Sequence, residues 1–370
     1  MQIGLVRETK DQERRVALTP SGVAELATAG HGIRVETGAG DAIGFSDVDY
    51  QQAGAQIVDT AAAWDNELVV KVKEPLANEY EYFDGQILFA FLHLAGSPVT
   101  LTKALIKGKV SAIAYELVGD DNGYYPLLAP MSAIAGNMAT TVGAHYLART
   151  NGGKGVQLGR LLEQRHGRVL VIGNGVVGCH AARTADALGA RVWLFGRDGE
   201  KFAQQREQFS PELTFVESTD ASIREHIADA DLVIGAVLQP ADRAPYVVSR
   251  DMIASMQPGS VVVDVSIDQG GCIETARATC HSKPVYREAD VIHYAVTNMP
   301  SAYPRTATQA LTAASLPYVL QLANAGMAAC RKNTMLAQAI NTHRGLITNA
   351  TIARALRLDP LYTPFSEIDA

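Results

Sequence analysis

The chain has 370 residues, 32 Lys+Arg against 39 Asp+Glu for a net charge of −7, and a composition that is 47% hydrophobic and 19% charged. The length suits two globular domains, and a mildly acidic balance without a Lys/Arg-rich run excludes a nucleic acid or an anionic membrane as the expected partner, because either needs a concentrated basic surface. The opening MQIGLVRETK turns charged at Arg7 before a secretory apolar core can build, and no apolar run reaches the ~18–20 residues that span a bilayer; a cytoplasmic protein acting on a small molecule is expected.

Short β-branched runs alternate with longer amphipathic stretches, the α/β pattern of doubly wound parallel sheets. In the first third, strands are expected at 2–6, 32–37, 68–73, 86–92 and 110–116. Thr19-Pro20 predicts a helix start, since the hydroxyl caps free N–H groups and proline fits the first helical position. Ser97-Pro98 repeats that signal before a helix ending near Gly108. A helix over 137–149 follows, then NGGKG at 151–155, where glycine leaves the backbone unconstrained and mobility is expected. A second strand series is expected at 168–172, 191–195, 214–216, 231–235, 260–267 and 295–299, and a long helix from Thr306 to about Ala325 closes it. Both long helices are expected to bridge two domains. Four cysteines without a C-x-x-C pair, and nine histidines without a helical pair at ligand spacing, predict no disulfide framework and no metal site.

The strand at 168–172 feeds directly into Gly173-Asn174-Gly175-Val176-Val177-Gly178, a G-x-G-x-x-G that opens a helical pattern running to Leu188. Gly173 would allow the tight turn, Gly175 the approach of a pyrophosphate to backbone N–H groups, and Gly178 close packing of helix on strand. The next strand ends in Gly196-Arg197-Asp198 rather than in the carboxylate that holds the adenosine ribose of NAD. Without that carboxylate a 2′-phosphate meets no repulsion and the guanidinium has an anion to bind, so NAD or NADP is expected with a lean toward NADP. The competing reading makes Arg197 a solvated loop residue and lets Asp198 reach the ribose.

Ligands of open α/β sheets bind beyond the carboxyl ends of the strands. Arg15, Lys73, His93 and Asp268 each follow an expected strand. Singly, each has an ordinary structural explanation. Jointly, two cations suit a carboxylate, an imidazole exchanges protons near neutral pH, and a carboxylate accepts a proton or holds an ammonium. Facing a nicotinamide in one interdomain crevice, such a set suits oxidation at a carbon bearing both carboxylate and amine.

These residues lie in strings that resemble the alanine dehydrogenase/nicotinamide nucleotide transhydrogenase family: RETKDQERRVALTP (7–20), KVKEP (71–75), GQILFAFLHLAG (85–96), LLAPMSAIAG (127–136), the glycine turn, DLVIGAVL (231–238), VVVDVSIDQGGC (261–272), TNMPSAYPRTATQAL (297–311) and LPYVLQLA (316–323). The resemblance covers nearly the whole chain. It implies a discontinuous flavodoxin-like substrate domain, 1–128 plus 307–370, and an inserted Rossmann domain, 129–306. Arg15 and Lys73 match the pair that binds the substrate carboxylate, and His93 and Asp268 the acid–base pair. Ser132, the glycine turn with Val176 and Val177, Val237, Leu238, Ile267, Asp268, Asn298 and Met299 match cofactor contacts. The implied activity is reversible oxidative deamination of L-alanine to pyruvate and ammonia, in a homohexamer. Two alternatives are an opine- or saccharopine-type dehydrogenase and a non-catalytic, transhydrogenase-like nucleotide-binding subunit.

Overall fold

The structure, a computed structural model, describes residues 1–197, 199–237 and 244–368. The chain divides into two compact units, Met1–Met131 with Tyr303–Ala370, and Ser132–Ala302.

In the first unit β1 (Gln2–Leu5) leads through a loop to α1 (Pro20–Thr28), then β2 (Gly32–Glu36), β3 (Gln56–Val58), β4 (Leu68–Val70), β5 (Ile87–Ala90), α2 (Val99–Lys107) and β6 (Ser111–Ala114). Thr19 caps α1 by accepting from the Gly22 N–H, with proline at the first position, a cap worth about 1 kcal/mol. Ser97 does not repeat that role. Its hydroxyl donates to the Leu92 carbonyl (3.0 Å), and Pro98 stands at the N-cap of α2 without a side-chain bond. Helix α3 (Ala129–Leu147) runs through the first boundary between the units.

The second unit opens with the hairpin β7 (Gly159–Leu161) and β8 (Gln164–His166), followed by β9 (Arg168–Ile172), α4 (Val176–Leu188), β10 (Arg191–Gly196), β11 (Thr214–Glu217), β12 (Leu232–Gly235), β13 (Val261–Asp264), β14 (Val285–Glu288) and β15 (Val291–Tyr294). The chain then re-enters the first unit as α5 (Pro304–Ala325), β16 (Ile340–His343) and β17 (Leu346–Ile347).

The first sheet has the order β17-β16-β6-β5-β4-β1-β2-β3, the second β11-β10-β9-β12-β13-β15-β14. Both are doubly wound. Without its three-residue edge strand β3, the parallel part of the first sheet reduces to the flavodoxin-like order; with β3 it runs 3-2-1-4-5-6, the order of dinucleotide-binding folds. The parallel strands are covered on both faces, which is why they read as continuous apolar runs such as Val169–Ile172 and Val261–Val263.

Helix α3 begins eight residues before the expected start at 137, and three further stretches of the second unit depart from the sequence reading. The strand expected at 260–267 stops at Asp264, whose buried carboxylate accepts the Ser266 (3.0 Å), Cys272 (2.9 Å) and Ile273 (3.1 Å) N–H groups and so caps a 3₁₀ turn, Val265–Gln269. The strand expected at 295–299 lies four residues earlier, at Val291–Tyr294. Val296 instead bridges Thr279, and Asn298 takes a left-handed φ of 57° that ends extended structure. NGGKG is fastened rather than loose. The Gly153 N–H bonds Ala148 O (3.0 Å), the Lys154 N–H bonds Gly259 O (3.0 Å), the Gly155 N–H bonds Leu147 O (2.8 Å), and the Lys154 ammonium pairs with Asp231 at 2.5 Å.

Candidate active site

The strand order of the first unit puts its switch point between β1 and β4, where crossovers leave in opposite directions and ligands of such sheets bind. Arg15 lies in the loop after β1, Lys73 after β4 and His93 after β5. The side chain of Arg15 is only 2% exposed, and Glu13 holds its guanidinium bidentately through Nε (2.7 Å) and Nη2 (2.5 Å). Its Nη1 donates to Met131 Sδ at 3.0 Å. A buried guanidinium needs such a partner, and the fork geometry fixes its plane.

Strand β4 ends at Val70, three residues before the expected end at Lys73. Toward β5 the ladder continues, with Lys71 N–H to Phe89 O and Phe91 N–H to Val72 O. The Glu8 carboxylate, from the β1 loop, takes the Val72 N–H (2.6 Å) and the Lys73 N–H (3.3 Å). Glu8 also receives the Lys71 ammonium (2.7 Å), which lies 3.3 Å from Glu79 and is fully buried. Burial alone would lower the Lys71 ammonium, but the two carboxylates outweigh it and hold it above its ordinary value. Lys71 therefore ties the loops after β1 and β4 together, and Lys73 stands on the backbone so fixed.

Lys73 Nζ lies 5.8 Å from the centroid of Phe91, and that ring stacks on His93 at 5.9 Å with 4° between planes. Phe91 is thus the shared neighbour that spaces a cation from an imidazole. His93 itself has φ 44°, a conformation that costs a non-glycine residue of order 1–3 kcal/mol and persists only when its surroundings impose it. Glu116 supplies part of that constraint by accepting the Leu92 (3.2 Å) and His93 (2.7 Å) N–H groups.

In the second unit the switch point falls between β9 and β12. Gly173, at φ 114°, passes so close to the loop after β12 that a Cβ would lie 2.3 Å from Ala236 O. A Cβ on Gly178 would sit 1.7 Å from Gly173 O, so helix α4 approaches the strand only without a side chain there. Gly175 differs: a Cβ would meet nothing within 4 Å. That open space at the N-terminus of a 13-residue helix fits a pyrophosphate. Val176 beside it is exposed and Val177 half-buried.

Gly196 ends β10 buried, its carbonyl accepting the Ser218 N–H at 2.8 Å, and Arg197 directly after it is exposed. Asp198 and Leu238 lie outside the described residues. The Val237 carbonyl accepts the Ser266 hydroxyl (2.8 Å), next to the buried Ile267. Asp268 is exposed on the 3₁₀ turn, and both its oxygens accept the Asn298 N–H, at 3.0 and 3.3 Å. Met299 is buried in the core cluster of this unit, and Ser132, half-buried on α3, is its first residue. Burial pushes the Asp264 carboxyl up to about 6, against the opposing effect of its three backbone donors.

The structure thus links Lys73 with His93 through Phe91, the glycine turn with Ala236 and so with the loop of Val237, and Asp268 with Asn298. Sequence reasoning missed Glu8, Glu13, Lys71, Phe91, Glu116 and Asp264. For the five charged ones the signal was a charge inside or beside an apolar strand, as in VVKVK and VVVDV, which folding tolerates only with a partner; Phe91 carries no such signal. Among the described residues no cluster of three or more His, Cys, Asp and Glu could hold a metal, and no helix is long and apolar enough to cross a membrane.

Family models described as "Alanine dehydrogenase/PNT, N-terminal domain" and "C-terminal domain" match residues 4–135 and 139–350. Alanine dehydrogenase 2 of Staphylococcus aureus (strain USA300) is 46% identical over 363 residues, 97% of either chain. A solved L-alanine dehydrogenase has a TM-score of 0.93 at 44% identity, covering 96% of this chain and 99% of that one. A transhydrogenase from Sinorhizobium meliloti reaches a TM-score of 0.80 at 25% identity, over 94% and 99%.

Proposed function

The chain belongs to the alanine dehydrogenase/PNT family, and from that premise we propose that it converts L-alanine, water and an oxidised pyridine nucleotide reversibly to pyruvate, ammonium and the reduced nucleotide with release of a proton. The observation that carries this reading is the likeness, over 97% of the chain, to a relative named for that activity.

Arg15 and Lys73 hold the substrate carboxylate, the first oriented by Glu13 and the second carried on the backbone that Glu8 fixes. A pyridine nucleotide held by the second unit would supply the acceptor for the hydride that leaves Cα. His93 and Asp268 move the protons: one leaves the substrate ammonium as the Cα–H bond breaks, two leave the water as its oxygen becomes the ketone of pyruvate, and two return to nitrogen as the C–N bond breaks, a net release of one. Gly173, Gly175, Val176, Val177 and Gly178 hold the pyrophosphate, and Ser132, Val237, Ile267, Asn298 and Met299 the rest of the nucleotide.

The NADP lean rests on the buried Gly196 and the exposed Arg197, which place no carboxylate at the end of β10 and a guanidinium beside it. A homohexamer in the cytoplasm completes the reading, carried by the family resemblance; sedimentation and cell fractionation test those two points.

Initial rates of the purified protein with L-alanine and each nucleotide test substrate and cofactor together, with a lower KM expected for NADP. Gly196→Asp is expected to reverse the order, once the ends of Asn174 and Phe202, 2.5 and 2.7 Å from the new Cβ, give way. No rate with L-alanine under either nucleotide overturns the reading, and an unchanged preference in Gly196→Asp removes its NADP part.

A further inference from the structure

Glu116 follows β6 on a 3₁₀ turn, Tyr115–Leu117, and its side chain is 12% exposed. Its two carboxylate oxygens divide two successive amides of the neighbouring loop between them: Oε2 accepts the Leu92 N–H at 3.2 Å and Oε1 accepts the His93 N–H at 2.7 Å. The same Oε1 lies 3.9 Å from His93 Nδ1. On the other side of this residue, the His93 carbonyl accepts the Gly96 (2.9 Å) and Ser97 (3.0 Å) N–H groups, and the Ser97 hydroxyl closes back on Leu92 O. His93 is therefore clamped at its own N–H and C=O while its φ of 44° keeps it in a region that side-chain-bearing residues avoid.

From this geometry we propose that Glu116 is a positioning residue for the reaction, acting through His93: its carboxylate imposes the left-handed backbone that aims the imidazole, and places negative charge on the Nδ1 side, leaving Nε2 as the nitrogen that exchanges protons. No other residue type of the same size keeps both backbone links. Glutamine would turn an NH₂ group toward one of the two N–H donors, and two donors facing each other cannot bond. The proposal rests on the proton-transfer role given to His93 above.

A double-mutant cycle tests it, with rates from single-turnover measurements of L-alanine oxidation so that slow variants are reached. Glu116→Gln is expected to lower the rate about 10- to 100-fold, the scale known for carboxylates that orient metal-bound histidines. The KM for L-alanine and the nucleotide Kd, read from fluorescence titration, stay within roughly 3-fold, a split that a merely structural lesion would not produce. In a His93→Ala background the same substitution is expected to change the rate less than about 2-fold, because nothing remains to position. An equal factor in both backgrounds, or a full rate in Glu116→Gln alone, overturns the proposal. A full rate in His93→Ala instead overturns the proton role of His93 itself, so the two failures are distinct. Should Glu116→Gln not fold, Glu116→Asp, whose carboxylate falls one methylene short, enters the same cycle with the same expected and overturning outcomes.

Discussion

The two sheets share a strand order around their switch points, yet the loops there are built from opposite materials. After β1 and β4 the loops carry Glu8, Glu13, Arg15, Lys71 and Lys73, with the ion pairs among them buried. After β9 and β12 the corresponding loops are Gly173-Asn174-Gly175 and Ala236-Val237, where backbone lies against backbone at distances that leave no room for a Cβ on Gly173. The difference follows from what each is proposed to hold. A small amino acid has a carboxylate and an amine within a few ångströms, and side chains with fixed charges are needed to tell its ends apart. A pyrophosphate is long and diffuse in charge, and a row of backbone N–H groups at a helix end serves it without any side chain. One half is therefore sensitive to the loss of charge, the other to the gain of volume.

The largest effect expected on that contrast is chemical. His93→Ala should lower kcat/KM for L-alanine roughly 10²–10⁴-fold while the nucleotide Kd stays within about 2-fold; a parallel loss of nucleotide binding would show that the two halves are not separable. Lys71→Met should follow closely. It leaves Glu8 and Glu79 buried without their cation, a lesion of about 3–5 kcal/mol read as a fall in the urea midpoint, and an unchanged midpoint would mean that the charged half is not held by its ion pairs.

A third effect depends on pH. Asp264 has its carboxyl raised from 3.8 to about 6 by burial, so its contribution favours the fold fully below pH 3.8 and is lost as pH rises through 6, a change of order 3 kcal/mol. The unfolding midpoint should fall across that window, and Asp264→Asn should flatten the fall. The smallest effect separates two glycines of one turn. Gly175→Ala meets open space and should keep its thermal midpoint while weakening nucleotide binding about tenfold, or 1.4 kcal/mol. Gly178→Ala, with its Cβ 1.7 Å from Gly173 O, should lose stability first; identical behaviour of the two would erase the distinction drawn between ligand space and packing space.

The glycine turn was legible because its logic is local: strand, turn and helix follow within twenty residues, and Val176–Leu188 agrees with the helical pattern end to end. The charged half was legible only as a set of types. Arg15, Lys73 and His93 stood out as polar residues after apolar runs, but their partners did not. Glu8 is 63 residues from Lys71 and Glu116 is 23 from His93, separations that only tertiary structure closes. Strands β3, β16 and β17 escaped notice because their apolar runs are only one or two residues long, unlike those of the equally short β4 and β12. Strand ends at Asp264 and Val70 were misjudged for one reason: a carboxylate took over backbone donors that the apolar pattern assigned to a ladder.

The return of β16 to the first sheet has a consequence for how the chain is made. Its partner along the sheet, β6, leaves the ribosome more than two hundred residues earlier, and Ser111 waits 232 positions for His343. The nucleotide unit is contiguous and is complete on the nascent chain before its neighbour can be. Until then β6 presents a bare row of peptide groups and the apolar cluster beneath it lacks Ile347, Ile352 and Ala353. Translation arrested before β16 emerges would therefore leave a finished dinucleotide fold tethered to a sticky, half-built sheet, the species a chaperone would be expected to meet.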